Sequence, residues 1–206
     1  MHALRVFSKQ PGFAAAAVLT LGLGIGATSA IFSVVHGVLL KPLPFQEPER
    51  LVSLTQIAPH GAGVNHGPGT YLTYRENYQV FEDIGAWDPT EVSITGSGVP
   101  EPVQGLLVSA STLPLLRVQP ILGRAFGAED DVPGAPRRVI LTYGYWQRRF
   151  AGAENVIGQN LTIDGRPVEV IGVLPASFKF LRTRPAVVLP LDANAPRFIS
   201  FGFQAL

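Results

Sequence analysis

Between Lys9 and Lys41 the chain carries no formal charge, and residues 13–35 are Ala, Leu, Gly, Ile, Val, Phe and small hydroxyl residues. A helix needs roughly 20 apolar residues to cross a hydrocarbon layer about 30 Å thick. The run therefore predicts a transmembrane helix over 13–35, with its exit complete by residue 40. Pro42 and Pro44 stop it, because proline lacks the amide donor and turns the preceding residue away from helix. Along the span, Gly22, Gly26 and Ala30 recur every four residues. They form a small-residue face on which another transmembrane helix can pack closely.

Past Gln46 the pattern changes to short segments with strand or helix periods. Residues 51–57 read as a strand and 60–69 as a glycine-rich loop. From Thr70, the side chains Tyr71, Tyr74, Tyr78, Phe81 and Ile84 fall three or four apart, which predicts a helix with an aromatic stripe packed on a sheet. Strands follow at 91–95 and 102–108 around the turn Gly96-Ser97-Gly98, then a helical turn at 111–116. Glu129-Asp130-Asp131 falls in a loop expected to be solvated. Residues 139–142 read as a strand, and 143–150 as an amphipathic helix with Tyr143, Trp146 and Phe150 on one face. The clearest local signal joins 161–163 to 168–173 through Asp164-Gly165, a dipeptide suited to a type I′ hairpin turn. Residues 187–191 form a last, fully apolar strand. The part beyond the span is thus mixed α and β, with strands dominating its second half.

Charge divides the chain at the same place. Up to Gln46 the charged residues are Arg5, Lys9 and Lys41, all basic; the remainder holds 13 Lys and Arg against 15 Asp and Glu, within an overall +1. A basic leader stays on the cytoplasmic side, so everything past the span is expected outside the cytoplasm. A cleavable secretory signal is the competing reading, with small residues at Ala27, Ser29 and Ala30. Signal cores stop after about 7 to 15 apolar residues, and this one runs on.

Several kinds of chemistry are set aside by residue type. Arg137-Arg138 and Arg148-Arg149 are isolated pairs without interleaved aromatics, so nucleic acid is not an expected partner. The chain has no cysteine, which removes disulfide and thiol chemistry. His60 and His66 lack the further ligands of a zinc site, and residues 129–131 lack the alternating oxygens of a calcium loop. The glycines at 22, 24 and 26 have neither the preceding strand nor the acidic partner of a dinucleotide fingerprint. No Gly-x-Ser-x-Gly elbow, His-Glu-x-x-His helix or Gly-Lys-Ser/Thr phosphate loop occurs. The chain is expected to be non-enzymatic, with no catalytic, cofactor or metal residue.

The run PGFAAAAVLTLGLGIGATSAIFSVVHGVLLKPLPF from Pro11 resembles the first transmembrane helix and exit of MacB-like and FtsX-like ABC transporter permeases, especially the duplicated orphan permeases of acidobacteria. Further segments follow in family order: YLTYRENYQVFEDIGAW from Tyr71, VSASTLPLLRVQPILGRAF from Val108, VILTYGYWQRRFAG from Val139 and VIGQNLTIDGRPVEVIGVLPASFKF from Val156. These resemble the periplasmic core domain that such permeases insert between their first two spans.

The resemblance implies an α+β chain: an N-terminal transmembrane helix, then a mixed α/β periplasmic domain with a strand-rich inserted subdomain holding the WQRRF and DGRP motifs. Residues 187–191 would be the return to the first subdomain. It implies a cytoplasmic N-terminus over 1–12, the helix and exit over 13–40, and a periplasmic core domain over 46–206. Family members continue into further spans, so a truncated permease is expected, with an open sheet edge and exposed apolar surface. The implied setting is the cell inner membrane, single-pass, with residues 41–206 periplasmic. The implied role is to couple ATP hydrolysis in a separate subunit to movements that drive export or act on envelope partners. Implied partners are membrane lipid, other transmembrane helices through Gly22, Gly26 and Ala30, and that ATPase subunit. The alternative is a single-pass periplasmic binding or sensor module.

Overall fold

Pro11–Val35 forms one unbroken helix, α1. The computed structural model describes residues 11–36, 45, 47–54, 56–58, 61–63, 68–95, 100–132, 134–181, 183–191 and 204–205. The chain divides into two units, Met1–Leu43 and Pro44–Leu206. In the first, Phe13, Leu19, Leu23, Ile31 and Phe32 all stand exposed on α1. A leucine or phenylalanine left in water forgoes about 1.5–3 kcal/mol of burial, so a helix apolar on every face needs an apolar surrounding. Among the described residues, α1 is the helix long and apolar enough to cross a membrane. Its hydroxyls turn back on the helix: Thr20, Thr28 and Ser33 donate to the carbonyls of Ala16, Gly24 and Ser29 at 2.7, 2.9 and 2.8 Å. That pairing removes their need for a partner in hydrocarbon. Arg5, Lys9, Pro42 and Pro44 lie outside the described residues.

The second unit opens with a two-stranded ladder, β1 (Gln56–Ala58) and β2 (Gly61–Gly63), followed by α2 (Pro68–Asn77). The main sheet is built from β3 (Ala86–Thr95), β4 (Glu101–Val108), β5 (Leu122–Gly123), β6 (Arg138–Leu141), β7 (Asn160–Ile163), β8 (Arg166–Val173), β9 (Val187–Pro190) and β10 (Gln204–Ala205). Two short helices, α3 (Thr112–Leu115) and α4 (Tyr143–Phe150), connect them. The strand order is β10-β3-β4-β9-β6-β8-β5, and β7 pairs both β8 and β3. The pairings β3–β4, β4–β9, β9–β6, β6–β8, β8–β7 and β7–β3 therefore close on themselves as a six-stranded ring.

Register carries one set of side chains around that ring. Val92 is opposite Val103, Gly105 opposite Val187, Val187 opposite Leu141, Val139 opposite Val170, and Ile163 opposite Ile94. Because side chains alternate along a strand, these positions share a face, and with Tyr145, Trp146 and Val156 they form one core. The alternate positions Trp87, Leu106, Val108, Ile140, Ile171 and Val188 form a second core with Leu113, Phe126 and Phe180. Tyr71 of α2 packs with Ile84, Ala86, Leu107 and Leu191 in a third.

The α+β class and the strand-rich insertion follow the expected plan. Strands β5 to β8 lie in sequence between β4 and β9, and β9 comes back parallel to β4. The insertion nonetheless shares one sheet with the rest, through β6 and β9. The open edge expected of this sheet is not at β9, which has β4 on one side and β6 on the other.

Other expectations shift. The aromatic stripe from Tyr71 to Ile84 is not one helix face. Helix α2 ends at Asn77, Tyr74 is 41% exposed, and Ile84 returns to the same core as Tyr71 by a non-helical path. Strand β3 begins five residues before position 91, at Ala86, because Pro89 sits where the strand has no second neighbour. The strand expected over 51–57 is reduced to Gln56–Ala58. On α4 the buried residues are Tyr145 and Trp146, while Tyr143 lies edge-on to Trp146 and is exposed. The turn Gly96-Ser97-Gly98 and the histidines His60 and His66 lie outside the described residues.

Candidate functional site

The hairpin turn closes the ring. Asp164 and Gly165 have φ of 49° and 73°, the left-handed pair a type I′ turn requires. The turn is also a clamp: the Asp164 amide donates to the Ser93 carbonyl at 2.9 Å, and Asp164 Oδ1 accepts the Ser93 amide at 2.8 Å. Away from this clamp the ring gapes. On the side of β3 facing away from β4, β10 takes Ala86 and Trp87 and β7 takes Ile94 and Thr95, which leaves 88–93 without a strand neighbour among the described residues. Pro89, which has no amide to donate, is suited to such an edge.

A cavity of ≈ 840 Å³ lies along this gap, lined by Asp88, Thr90 and Val92 of β3, Leu107, Leu189, Arg166 and Val168, and by Asp130, Arg137 and Arg138. Its floor is the apolar inward row of the ring; its walls carry both signs of charge.

Asp130 is fully committed. Its side chain is wholly buried. It accepts from Arg124 Nη1 at 2.7 Å, Arg124 Nη2 at 3.3 Å, the Gly127 amide at 2.8 Å and Arg138 Nη1. Burial alone would raise its pKa, but the hydrogen bonds from Arg124, Gly127 and Arg138 outweigh that and hold it down at about 2. The expectation of a solvated 129–131 loop is therefore corrected: Asp131 is half-buried and accepts the Ala110 amide at 3.3 Å, and Asp130 is buried. Arg124, six residues before, and Arg138, eight after, draw its carboxylate inward, while Glu129 keeps 64% of its side chain exposed. Arg138 also approaches Glu169, with Nε 3.9 Å from Oε2.

Asp88 is the opposite case. It occupies an inward position of β3 directly across from Leu107 and is half-buried. It makes no hydrogen bond or ion pair with any described residue, and burial pushes its pKa up. Its signal in the sequence is an acid in the alternating row Ala86, Asp88, Thr90, Val92, Ile94, which Pro89 disguises as a loop.

The hydroxyls of the segment beginning at Val108 hold backbone. Ser109 Oγ accepts the Ala86 amide at 3.0 Å, Thr112 Oγ1 donates to the Ala86 carbonyl at 3.0 Å, and Ser111 Oγ donates to the Ile84 carbonyl at 2.7 Å. Trp146 Nε1 likewise donates to the Ala153 carbonyl at 2.9 Å across the left-handed pair Ala151 and Gly152 that ends α4. On α1, a side chain placed at Gly22 or Gly26 would meet nothing within 4 Å, so that face is open. Among the described residues, no three His, Asp or Glu side chains gather as a metal-holding group.

The family model of the MacB-like periplasmic core domain matches residues 14–204, from within α1 to the first residue of β10. The chain belongs to this family. Two solved structures share the fold of the MacB-like domain. One is the periplasmic region of MacB from Actinobacillus actinomycetemcomitans, 17% identical, with a TM-score of 0.55 over 68% of this chain and 64% of that one. The other is the extracellular domain of the noncanonic ABC-type transporter YknZ from Gram-positive bacteria, 14% identical, with a TM-score of 0.53 over 74% of this chain and 72% of that one. The MacB-like chain thus spans less than two thirds of the MacB periplasmic region. Comparison with curated proteins found no match.

Proposed function

We propose that this chain is the membrane-anchored, extracytoplasmic part of an ABC-type permease, relaying conformational change at the inner membrane to export or to envelope partners. One observation carries the reading: the family match begins inside α1 and runs to residue 204, so the apolar helix and the folded domain belong to one architecture. In this reading residues 1–12 stay in the cytoplasm, α1 spans the membrane, and residues 41–206 are periplasmic. The open face at Gly22 and Gly26, continued by Ala30, supports contact with other membrane helices of the permease. In this reading the driving energy comes from an ATPase subunit of the transporter.

Fractionation of cells expressing the full chain tests the anchor. The expected result is recovery with membranes, released by detergent and not by high salt or alkali, with residues before Ala30 retained. A soluble product whose N-terminus lies beyond Ala30 would overturn it. Co-purification of a nucleotide-binding subunit in mild detergent, with ATP altering protease protection of the domain, tests the coupling.

A second reading, a single-pass binding or sensor module, is favoured by the cavity beside β3. It requires residues 46–206 alone to fold and unfold cooperatively, and a fragment that does not would overturn it.

A further inference from the structure

We propose that the cavity at the gap in the strand ring binds a small organic ammonium ion, its apolar body on the inward row of the ring and its charged head on Asp88. The inference goes beyond the permease assignment and holds whether the domain serves a permease or works as a single module.

The cavity has the size and construction of a small-molecule site. Such sites enclose roughly 300–1,000 Å³ and combine apolar walls with a few placed polar groups. Here the volume is ≈ 840 Å³, and Val92, Leu107 and Val168 on its floor are all buried.

The charges decide the class of ligand. Three acids line the cavity: Asp88, Asp130 and Asp164. Asp130 is saturated by Arg124, Arg138 and the Gly127 amide. Asp164 accepts the Ser93 amide on the closing turn. Asp88 is left, half-buried opposite Leu107 with no cation beside it among the described residues. A carboxylate withdrawn from water without a partner is costly, and an incoming ammonium ion removes that cost by pairing with it.

The basic side chains do not compete for the same role. Arg138 donates to Asp130 through Nη1, and its charge also lies near Glu169, although its buried Nε has no hydrogen-bond acceptor among the described residues. Arg137 and Arg166 are exposed, where water and salt screen their charge. Among the described residues, the charge set back from solvent without an opposite charge beside it is the Asp88 carboxylate. Thr90, two residues along on the same side of β3, adds a hydroxyl that can accept a second ammonium hydrogen.

Titration calorimetry on the full chain in lipid nanodiscs, with empty nanodiscs as blank, tests the site. The probes are phenethylammonium, neutral 2-phenylethanol and anionic 3-phenylpropionate. Saturable binding is expected for the ammonium probe only, weakened roughly tenfold or more by Asp88→Asn and unchanged by Arg166→Gln. Equal binding of the three probes, or equal affinity of wild type and Asp88→Asn, overturns the proposal. Preference for 3-phenylpropionate that is lost in Arg166→Gln overturns it in favour of an anion site. If Asp88→Asn fails to fold, Thr90→Phe, which narrows the cavity and spares the carboxylate, carries the test. Loss of ammonium binding is expected there, and undiminished binding overturns the proposal.

Discussion

Asp130 and Asp88 line the same cavity and differ in almost everything around them. Asp130 ends a short 3-10 turn, Ala128–Asp130, between two arginines and a backbone amide, so its charge is shared and its pKa falls to about 2. Asp88 sits on a regular strand facing leucine, with no partner among the described residues, and burial raises its pKa. Depth alone does not separate the two, since the more deeply buried acid is the one held ionised. What separates them is the supply of donors within hydrogen-bond reach, and that supply tells a structural carboxylate from an available one.

The largest effect is expected of Asp130→Asn. Two arginines would then face a neutral amide, and a loss of about 2–3 kcal/mol in urea unfolding is expected, discounted from a fully buried pair because Arg124 is 43% exposed. A loss below about 0.5 kcal/mol would reduce the cluster to an ordinary surface pair.

Acid titration sharpens the same point by sign. The folded-state pKa of Asp130 is depressed from 3.8 to about 2, so its contribution is present above the unfolded value and lost as pH falls through the folded one. The stability gap between wild type and Asp130→Asn should therefore close between about pH 5 and pH 2. Asp88 runs the other way. Its folded-state pKa is raised, so its ionisation opposes folding as pH rises through that value.

Next in size is Asp164→Ala. It loses the acceptor for the Ser93 amide and places alanine at a φ of 49°, for a combined cost of about 1–2 kcal/mol. Amide exchange at Ser93 and Ile94 should quicken more than at Val103, and uniform quickening would contradict the clamp.

Asp88→Asn is expected to change stability least, by under about 1 kcal/mol and toward greater stability at neutral pH. A large loss would reveal a partner for Asp88 and erase the contrast with Asp130.

Much of this architecture was legible in the residues, and the rest failed for physical reasons. The apolar helix over 13–35, the Asp164-Gly165 hairpin and the apolar strand over 187–191 depend on local composition and turn chemistry, and all three appear near their expected places. The tyrosines misled because a three-to-four spacing is shared by a helix and by a chain that folds back: Tyr71 and Ile84 meet in one core across the end of α2. Pro89 hid the first half of β3, since proline marks a loop unless the strand has an open edge to receive it. Asp130 looked solvated because its partners, Arg124 and Arg138, reach it only through the tertiary fold. The cavity was invisible for the same reason: ring closure joins β3 to β7 across about 70 residues of intervening chain, and nothing local announces it.

In the proposed arrangement α1 holds the MacB-like domain on the outer side of the membrane. The chain has no cysteine, so one introduced thiol reports its own location without background. Val80, 84% exposed, is the position to use. In intact spheroplasts, a membrane-impermeant maleimide should label Val80→Cys at once and Ser8→Cys only after lysis, both in membrane-bound chains of full length. Labelling of Ser8→Cys before lysis, or of Val80→Cys only after it, would contradict the account.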